Sequence, residues 1–266
     1  MKTELAAFEK LMELMRRLRG PGGCAWDAEQ THESLKRYLL EETYEVMEAI
    51  DAGSSHMLKE ELGDLLLQVV FHATIAEENG EFTTGQVLEL LCDKLIRRHP
   101  HVFAGLEVDD IDDLTANWER IKKAEKGDER RSALSGVPPH LPALLRAQKI
   151  TEKAARVGFD WDHVEPVFAK VLEELKELEE TLFTGDQERM EAELGDLLFA
   201  IVNLGRFLSL TPEDALRKTI ARFMRRFSHV EDSLHGRGRK LQDASLQEMD
   251  VLWEEAKRRE RESPDG

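Results

Sequence analysis

Apolar residues recur at helical spacing along most of the chain. Leu5, Phe8, Leu11, Met12, Met15 and Leu18 predict an amphipathic N-terminal helix, which Gly20-Pro21-Gly22-Gly23 ends. The next helix runs through Leu35, Leu39, Leu40, Tyr44, Val46, Met47 and Ile50. Gly53-Ser54-Ser55 then turns the chain into a helix that passes Val69, Val70 and Phe71 and stops at Asn79-Gly80. A further helix is expected over roughly residues 84–98, before His99-Pro100-His101. An acidic loop from Glu107 to Asp113 leads to a helix containing Trp118 and Lys122. No stretch alternates in the manner of a strand, so the fold class is all-α.

The same plan then recurs. Charge-rich residues 123–131 and Ser135-Gly136-Val137-Pro138-Pro139 mark a boundary. The expected organisation is a helical unit over 1–125, a linker over 126–145 and a second helical unit over 146–266. In the second unit Gly158-Phe159-Asp160-Trp161-Asp162 echoes Trp26-Asp27, two acidic helices meet across Gly185-Asp186, and another helix begins at Pro212. After Gly236-Arg237-Gly238 a closing helix carries Trp253 and Lys257, spaced like Trp118 and Lys122. Two helices cannot bury their own apolar faces. Each unit is therefore expected to contribute a helix pair to a four-helix-bundle-type core, completed by another copy in the same chain or in a partner.

The acidic residues keep register between the copies. Glu42 and Glu45, then Glu61 and Asp64 after fifteen intervening residues, are matched by Glu174 and Glu177, then Glu193 and Asp196, with the hexapeptide ELGDLL in both. Spacing of three places each pair on one helix face. A single acidic stretch is ordinarily a solvated face. Solvation does not preserve register, however, and Leu62, Leu65, Leu66 and Leu194, Leu197, Leu198 set these acids at a core edge. Crowded carboxylates there call for cations. Oxygen ligands alone point to Mg2+, with Mn2+ as a substitute, and no histidine belongs to either set, which argues against zinc and against a di-iron bundle. The lone Glu29-x-x-His32 lies outside the repeat and is read as incidental. Gly63 and Gly195 inside helices suggest close approach of another backbone or a ligand.

Basic residues complete the pattern. Lys218, Arg222, Arg225 and Arg226 lie on the helix after the second acidic pair, and Arg222, Arg225 and Arg226 align with Lys94, Arg97 and Arg98. A row of this kind beside a cation site suits a triphosphate, whereas for any one residue pairing with nearby Asp or Glu explains it as well. Lys170 and Arg189 stand one turn before Glu174 and Glu193, where the first copy has Tyr38 and Met57, so the C-terminal copy is the better phosphate site. Trp253 offers a ring for stacking on a base and is equally suited to the core. The formal net charge of −17 disfavours nonspecific binding to nucleic acid or an anionic membrane, without excluding a nucleotide. Two cysteines, Cys24 and Cys92, form no framework, and the charged N-terminal region does not read as a signal peptide or membrane span. A soluble cytoplasmic protein is expected.

The stretches GGCAWDAEQTHESLKRYLLEETYEVMEAI, KEELGDLLLQVVFHA and KLIRRHPHVF resemble the N-terminal half of MazG-type nucleoside triphosphate pyrophosphohydrolases, and EAELGDLLFAIVNLGR resembles their C-terminal half. The resemblance implies an all-α, Mg2+-dependent homodimer that converts a nucleoside triphosphate to a monophosphate and pyrophosphate. By motif it makes Glu174, Glu177, Glu193 and Asp196 metal ligands of the C-terminal site, and Glu42, Glu45, Glu61 and Asp64 those of the N-terminal site. Glu173 and Glu41, which open the motifs, would hold a second cation or orient the attacking water, so the catalytic set is Glu173, Glu174 and Glu177. The family's Asn-x-Lys-Phe-x-x-Arg reads Ile220-Ala221-Arg222-Phe223-Met224-Arg225-Arg226 here, which keeps the charge and removes a hydrogen-bonding side chain. The rival expectation is a metal-dependent nucleotide or (p)ppGpp sensor with little turnover.

Overall fold

A computed structural model describes residues 2–106 and 132–262, together with Leu114, Ile121 and Glu125. The expected loop at 107–113 and the readings of Trp118 and Lys122 lie outside the described residues. Among those described, eleven α-helices and one 3-10 turn form the secondary structure, with no strand. The fold is all-α. The chain divides into two compact units, Met1–Gly127 and Asp128–Gly266.

In the first unit, α1 (Lys2–Arg19) and the short α2 (Ala25–Glu29) precede the acidic pair, α3 (Lys36–Asp51) and α4 (Ser55–Glu78). Next come α5 (Thr84–Arg98) and the single turn α6 (Pro100–Phe103). Caps written in the sequence fix the boundaries. The Ser54 hydroxyl accepts from the Met57 N–H at the start of α4, and Thr83 with Gln86 forms a capping box on α5. Met12 and Met15 of α1 pack with Leu35, Val70, Phe71 and Ile75 in the core of this unit. Arg19 closes it at one end, its guanidinium paired with Glu78 at 2.7 Å and set over the Phe71 ring.

The second unit contains α7 (Ala143–Ala155), the acidic pair α8 (Val164–Thr181) and α9 (Gln187–Phe207), then α10 (Pro212–Gly236) and α11 (Leu246–Glu262). The turn between the acidic helices shares two positions with that of the first unit. Gly53 and Gly185 both have positive φ, 62° and 73°, and the residues that follow, Ser54 and Asp186, both cap the next helix through their side chains. Val230, Leu234 and Leu252 form a small core between α10 and α11, and Trp253 packs against it. At the α9–α10 corner a Cβ on Gly205 would lie 2.6 Å from Pro212 Cγ, so only glycine fits there.

Gly63 and Gly195 behave differently. The sequence suggests close approach of another backbone or a ligand, yet a Cβ on either would meet nothing within 4 Å. Packing within the unit does not require these glycines. The helix surface around them is also uncovered: Leu62, Leu66 and Val69 of α4 are 49%, 42% and 47% exposed, and their counterparts Leu194, Leu198 and Ile201 of α9 are 47%, 45% and 44% exposed. At spacings of four and three these form one apolar stripe per unit, of a kind that soluble proteins ordinarily bury.

Candidate active site

Helical spacing aims Glu173, Glu174 and Glu177 from α8, and Glu193 and Asp196 from α9, at one place. Carboxylate oxygens of Glu173, Glu174 and Glu177 lie within 4.8 Å of one another, and so do those of Glu174, Glu193 and Asp196. Glu174 belongs to both groups and is the buried member, 6% exposed. It joins the two acidic helices into one cluster. Partial burial, together with Glu174 and Glu193, pushes the Glu177 carboxyl above its ordinary range.

Cationic side chains already border this cluster. Lys170 Nζ lies 2.7 Å from Glu173 and 2.6 Å from Glu174, and these two carboxylates raise its pKa above the usual lysine value. Arg189 Nε lies 3.7 Å from Glu193. Both contacts are the local helix pairs expected for an acidic surface. Their partners are groups that a cation would engage.

In the first unit, Glu42, Glu45 and Glu61 bring carboxylate oxygens within 4.8 Å of one another. Asp64 is outside that group but close enough to contribute to the raised pKa of Glu42, which follows mainly from burial and then from Glu45. Burial, Glu45 and Glu60 likewise raise Glu61. The surroundings differ between the units. Tyr38, which replaces Lys170, packs against the α1–α4 core and accepts a 2.6 Å hydrogen bond from Arg37, while Met57 replaces Arg189.

The basic row on α10 is held by α11. Arg226 and Arg225 lie 2.7 Å and 3.8 Å from Glu260, and Arg222 donates to the Thr219 hydroxyl at 3.0 Å. Lys218 is exposed on the same helix. The first unit repeats the clamp: Arg98 and Arg97 pair with Glu125 at 2.5 Å and 2.7 Å, which holds that carboxyl at a pKa of about 2. Trp253 stacks obliquely on Phe223, with ring centroids 4.9 Å apart, and lies beneath Arg226. Its ring is part of the α10–α11 packing.

Sequence reasoning did not find a cavity of about 400 Å³ that opens beside the second cluster and shares Lys170, Glu174 and Asp196 with it. Phe159 and Trp161 stand at this cavity, and Asn203 and Arg206 reach it from α9. The signal was present in the sequence, since Asp196, Ala200 and Asn203 are spaced four and three apart on the face that carries the acids. By spacing alone, Gly158-Phe159-Asp160-Trp161 reads as an echo of Trp26-Asp27.

An all-α protein that twice gathers carboxylates from two neighbouring helices, once beside basic side chains and a cavity of about 400 Å³, belongs among helical proteins whose acidic clusters could hold a metal ion. Residues 30–103 and 163–231 match the MazG nucleotide pyrophosphohydrolase domain, and the chain belongs to that family. It is 49% identical over 257 residues to the nucleoside triphosphate pyrophosphohydrolase/pyrophosphatase MazG of Thermotoga maritima, an alignment covering 97% of this chain and 98% of the relative. Identity to the nucleoside triphosphate pyrophosphohydrolase of Escherichia coli K12 is 45% over 257 residues, covering 95% of this chain and 98% of that protein. The uncharacterized protein YabN of Bacillus subtilis is 49% identical over 96% of this chain, which spans 53% of YabN. No single helix among the described residues is long and apolar enough to cross a membrane.

Proposed function

We infer that this chain is a nucleoside triphosphate pyrophosphohydrolase that releases a nucleoside monophosphate and pyrophosphate, and that its C-terminal unit is the main active site. The observation that carries this reading is the cluster joined through Glu174, with Lys170 and Arg189 at its edge and the cavity at its side. The full-length relatives from Thermotoga maritima and Escherichia coli are named for this activity, and residues 1–125 and 146–266 act as two MazG-like units.

The donor set fits Mg2+, because it consists of carboxylates alone, and burial followed by the neighbouring Glu174 and Glu193 raises Glu177. Glu174, Glu177, Glu193 and Asp196 would hold the metal, which when bound supplies neutralisation of phosphate charge and a more acidic water. Glu173, at the exposed rim of the cluster, would hold a second cation or orient the attacking water. Lys170 and Arg189 would exchange their carboxylate partners for phosphate oxygens, and the α10 row of Lys218, Arg222, Arg225 and Arg226 would supply further positive charge for the departing pyrophosphate. In the first unit, Glu42, Glu45, Glu61 and Asp64 retain the capacity for a cation while Tyr38 and Met57 replace the phosphate-facing charges. That unit serves mainly in assembly. The working form is a homodimer in the cytoplasm, where Cys24 and Cys92 remain free thiols.

The test is product identification with purified protein, Mg2+ and a panel of nucleoside triphosphates. Monophosphate plus pyrophosphate is expected, whereas diphosphate plus phosphate would place the cut at the γ-phosphate. Binding without turnover would favour a nucleotide sensor.

Metal dependence of stability gives a second check. Glu42, Glu61 and Glu177 have raised carboxyl pKa values, so the folded state binds these protons more tightly than the unfolded chain. Their contribution to stability therefore falls as pH rises from the ordinary carboxyl pKa through the raised values. Saturating Mg2+ should raise the melting temperature by about 5 °C at pH 8 and by much less at pH 5. An equal shift at both pH values would show that these carboxylates do not hold the ion.

A further inference from the structure

The two units differ most at the wall of the cavity. Ala200 of α9 occupies the position held by Gln68 in α4, and Asn203 occupies that of Phe71. In the first unit both side chains are buried, and Phe71 fills the core against α1 and α3. In the second unit the small Ala200 leaves open space, and a polar amide, 6% exposed, replaces the ring. A buried amide in place of a core phenylalanine costs stability unless its hydrogen bonds are made.

Among the described residues, only one end of that amide is satisfied. Arg206 Nε donates to Asn203 Oδ1 at 2.9 Å, and the same guanidinium donates to both Asp160 carboxylate oxygens at 2.8 Å and 2.6 Å. Arg206 holds the Asp160 carboxyl below its ordinary range, so the ion pair persists at neutral pH. With Oδ1 committed to a guanidinium, the amide orientation is fixed and Nδ2 is the end left to donate. No described residue accepts from it.

Position and surroundings identify what it donates to. Asn203 lies seven residues beyond Asp196, two helical turns or about 10 Å along α9, a separation matching that from the α-phosphate of a nucleotide to its base. Val167, Phe199 and Ala200 make the intervening wall apolar, and the exposed rings of Phe159 and Trp161 flank the opening. Flat apolar faces with one amide donor open to the cavity suit a heteroaromatic base better than a sugar, whose hydroxyls would need several partners.

We propose that this cavity is the nucleobase pocket of the C-terminal site and that Asn203 Nδ2, locked by Arg206 and Asp160, hydrogen-bonds a ring-nitrogen or carbonyl acceptor of the base. The assignment rests on the pyrophosphohydrolase reading for the identity of its ligand. It makes Asn203 a specificity-determining residue, with Arg206 and Asp160 as positioning residues.

The test is calorimetric binding of nucleoside monophosphates to full-length protein with Mg2+, with inorganic tripolyphosphate as the base-free probe. Asn203→Asp keeps an oxygen for Arg206 and removes the donor. It should weaken monophosphate binding roughly ten- to a hundredfold and leave tripolyphosphate binding unchanged. Ala200→Leu, which fills the cavity, should give the same pattern. Unchanged monophosphate binding in both variants, or parallel loss of tripolyphosphate, overturns the assignment. If wild-type protein binds monophosphates through Asn203 but releases no pyrophosphate, the catalytic reading fails and the pocket assignment stands.

Discussion

Glu177→Ala should lower turnover by roughly a thousandfold or more, while Glu45→Ala, the same change at the equivalent position of the first unit, should cost less than about threefold. Both residues sit in three-carboxylate groups of similar span, so acidity alone does not separate them. Their surroundings do. Glu177 is grouped with Glu173 and Glu174 beside Lys170, and Glu174 also faces Glu193 and Asp196 from the next helix. Glu45 is grouped with Glu42 and Glu61, where the residue matching Lys170 is a tyrosine packed against the core. Steady-state release of pyrophosphate from the two variants, both confirmed folded by circular dichroism, decides the matter. Equal losses would make both units catalytic, and a loss confined to Glu45→Ala would reverse the assignment.

Charge placed on the apolar stripes should break the assembly. Leu194, Leu198 and Ile201 are nearly half exposed, so a polar residue there costs little in the isolated unit. If a second copy covers the stripe, Leu198→Glu buries an unpaired carboxylate at a cost of about 3–5 kcal/mol, counted twice by a twofold axis. Sedimentation equilibrium should show wild-type protein as a dimer and Leu198→Glu as a monomer at micromolar concentration. A wild-type monomer, or a variant dimer of undiminished affinity, would remove the stripe from the interface. Gly195 shares this helix surface and has open space over its Cα, as an approaching helix from outside the unit requires.

Much of the fold was legible because the signals are local. The helical spacing of Met12 and Met15, the stop at Asn79-Gly80 and the start at Pro212 all appear as read, since each depends on neighbours within a turn or two. Repetition made the acidic site legible as well. Glu174, Glu177, Glu193 and Asp196 were singled out by register, and the structure brings them into two groups that share Glu174. The partners of the α10 arginines were not legible. Glu260 lies 34 residues from Arg226, and no periodicity links positions on helices separated by a loop.

The sequence by itself determined an all-α chain of two matched units and the carboxylates that could converge, because helical period and repeat register are properties of spacing. Only the tertiary structure decided that Phe71 fills a core where Asn203 borders a cavity, and that Arg206 joins Asn203 to Asp160. The physical reason is that space and hydrogen-bond commitment depend on which side chains arrive from other helices. Asp160 and Arg206 are 46 residues apart, and that long-range ion pair holds the guanidinium that donates to Asn203 Oδ1.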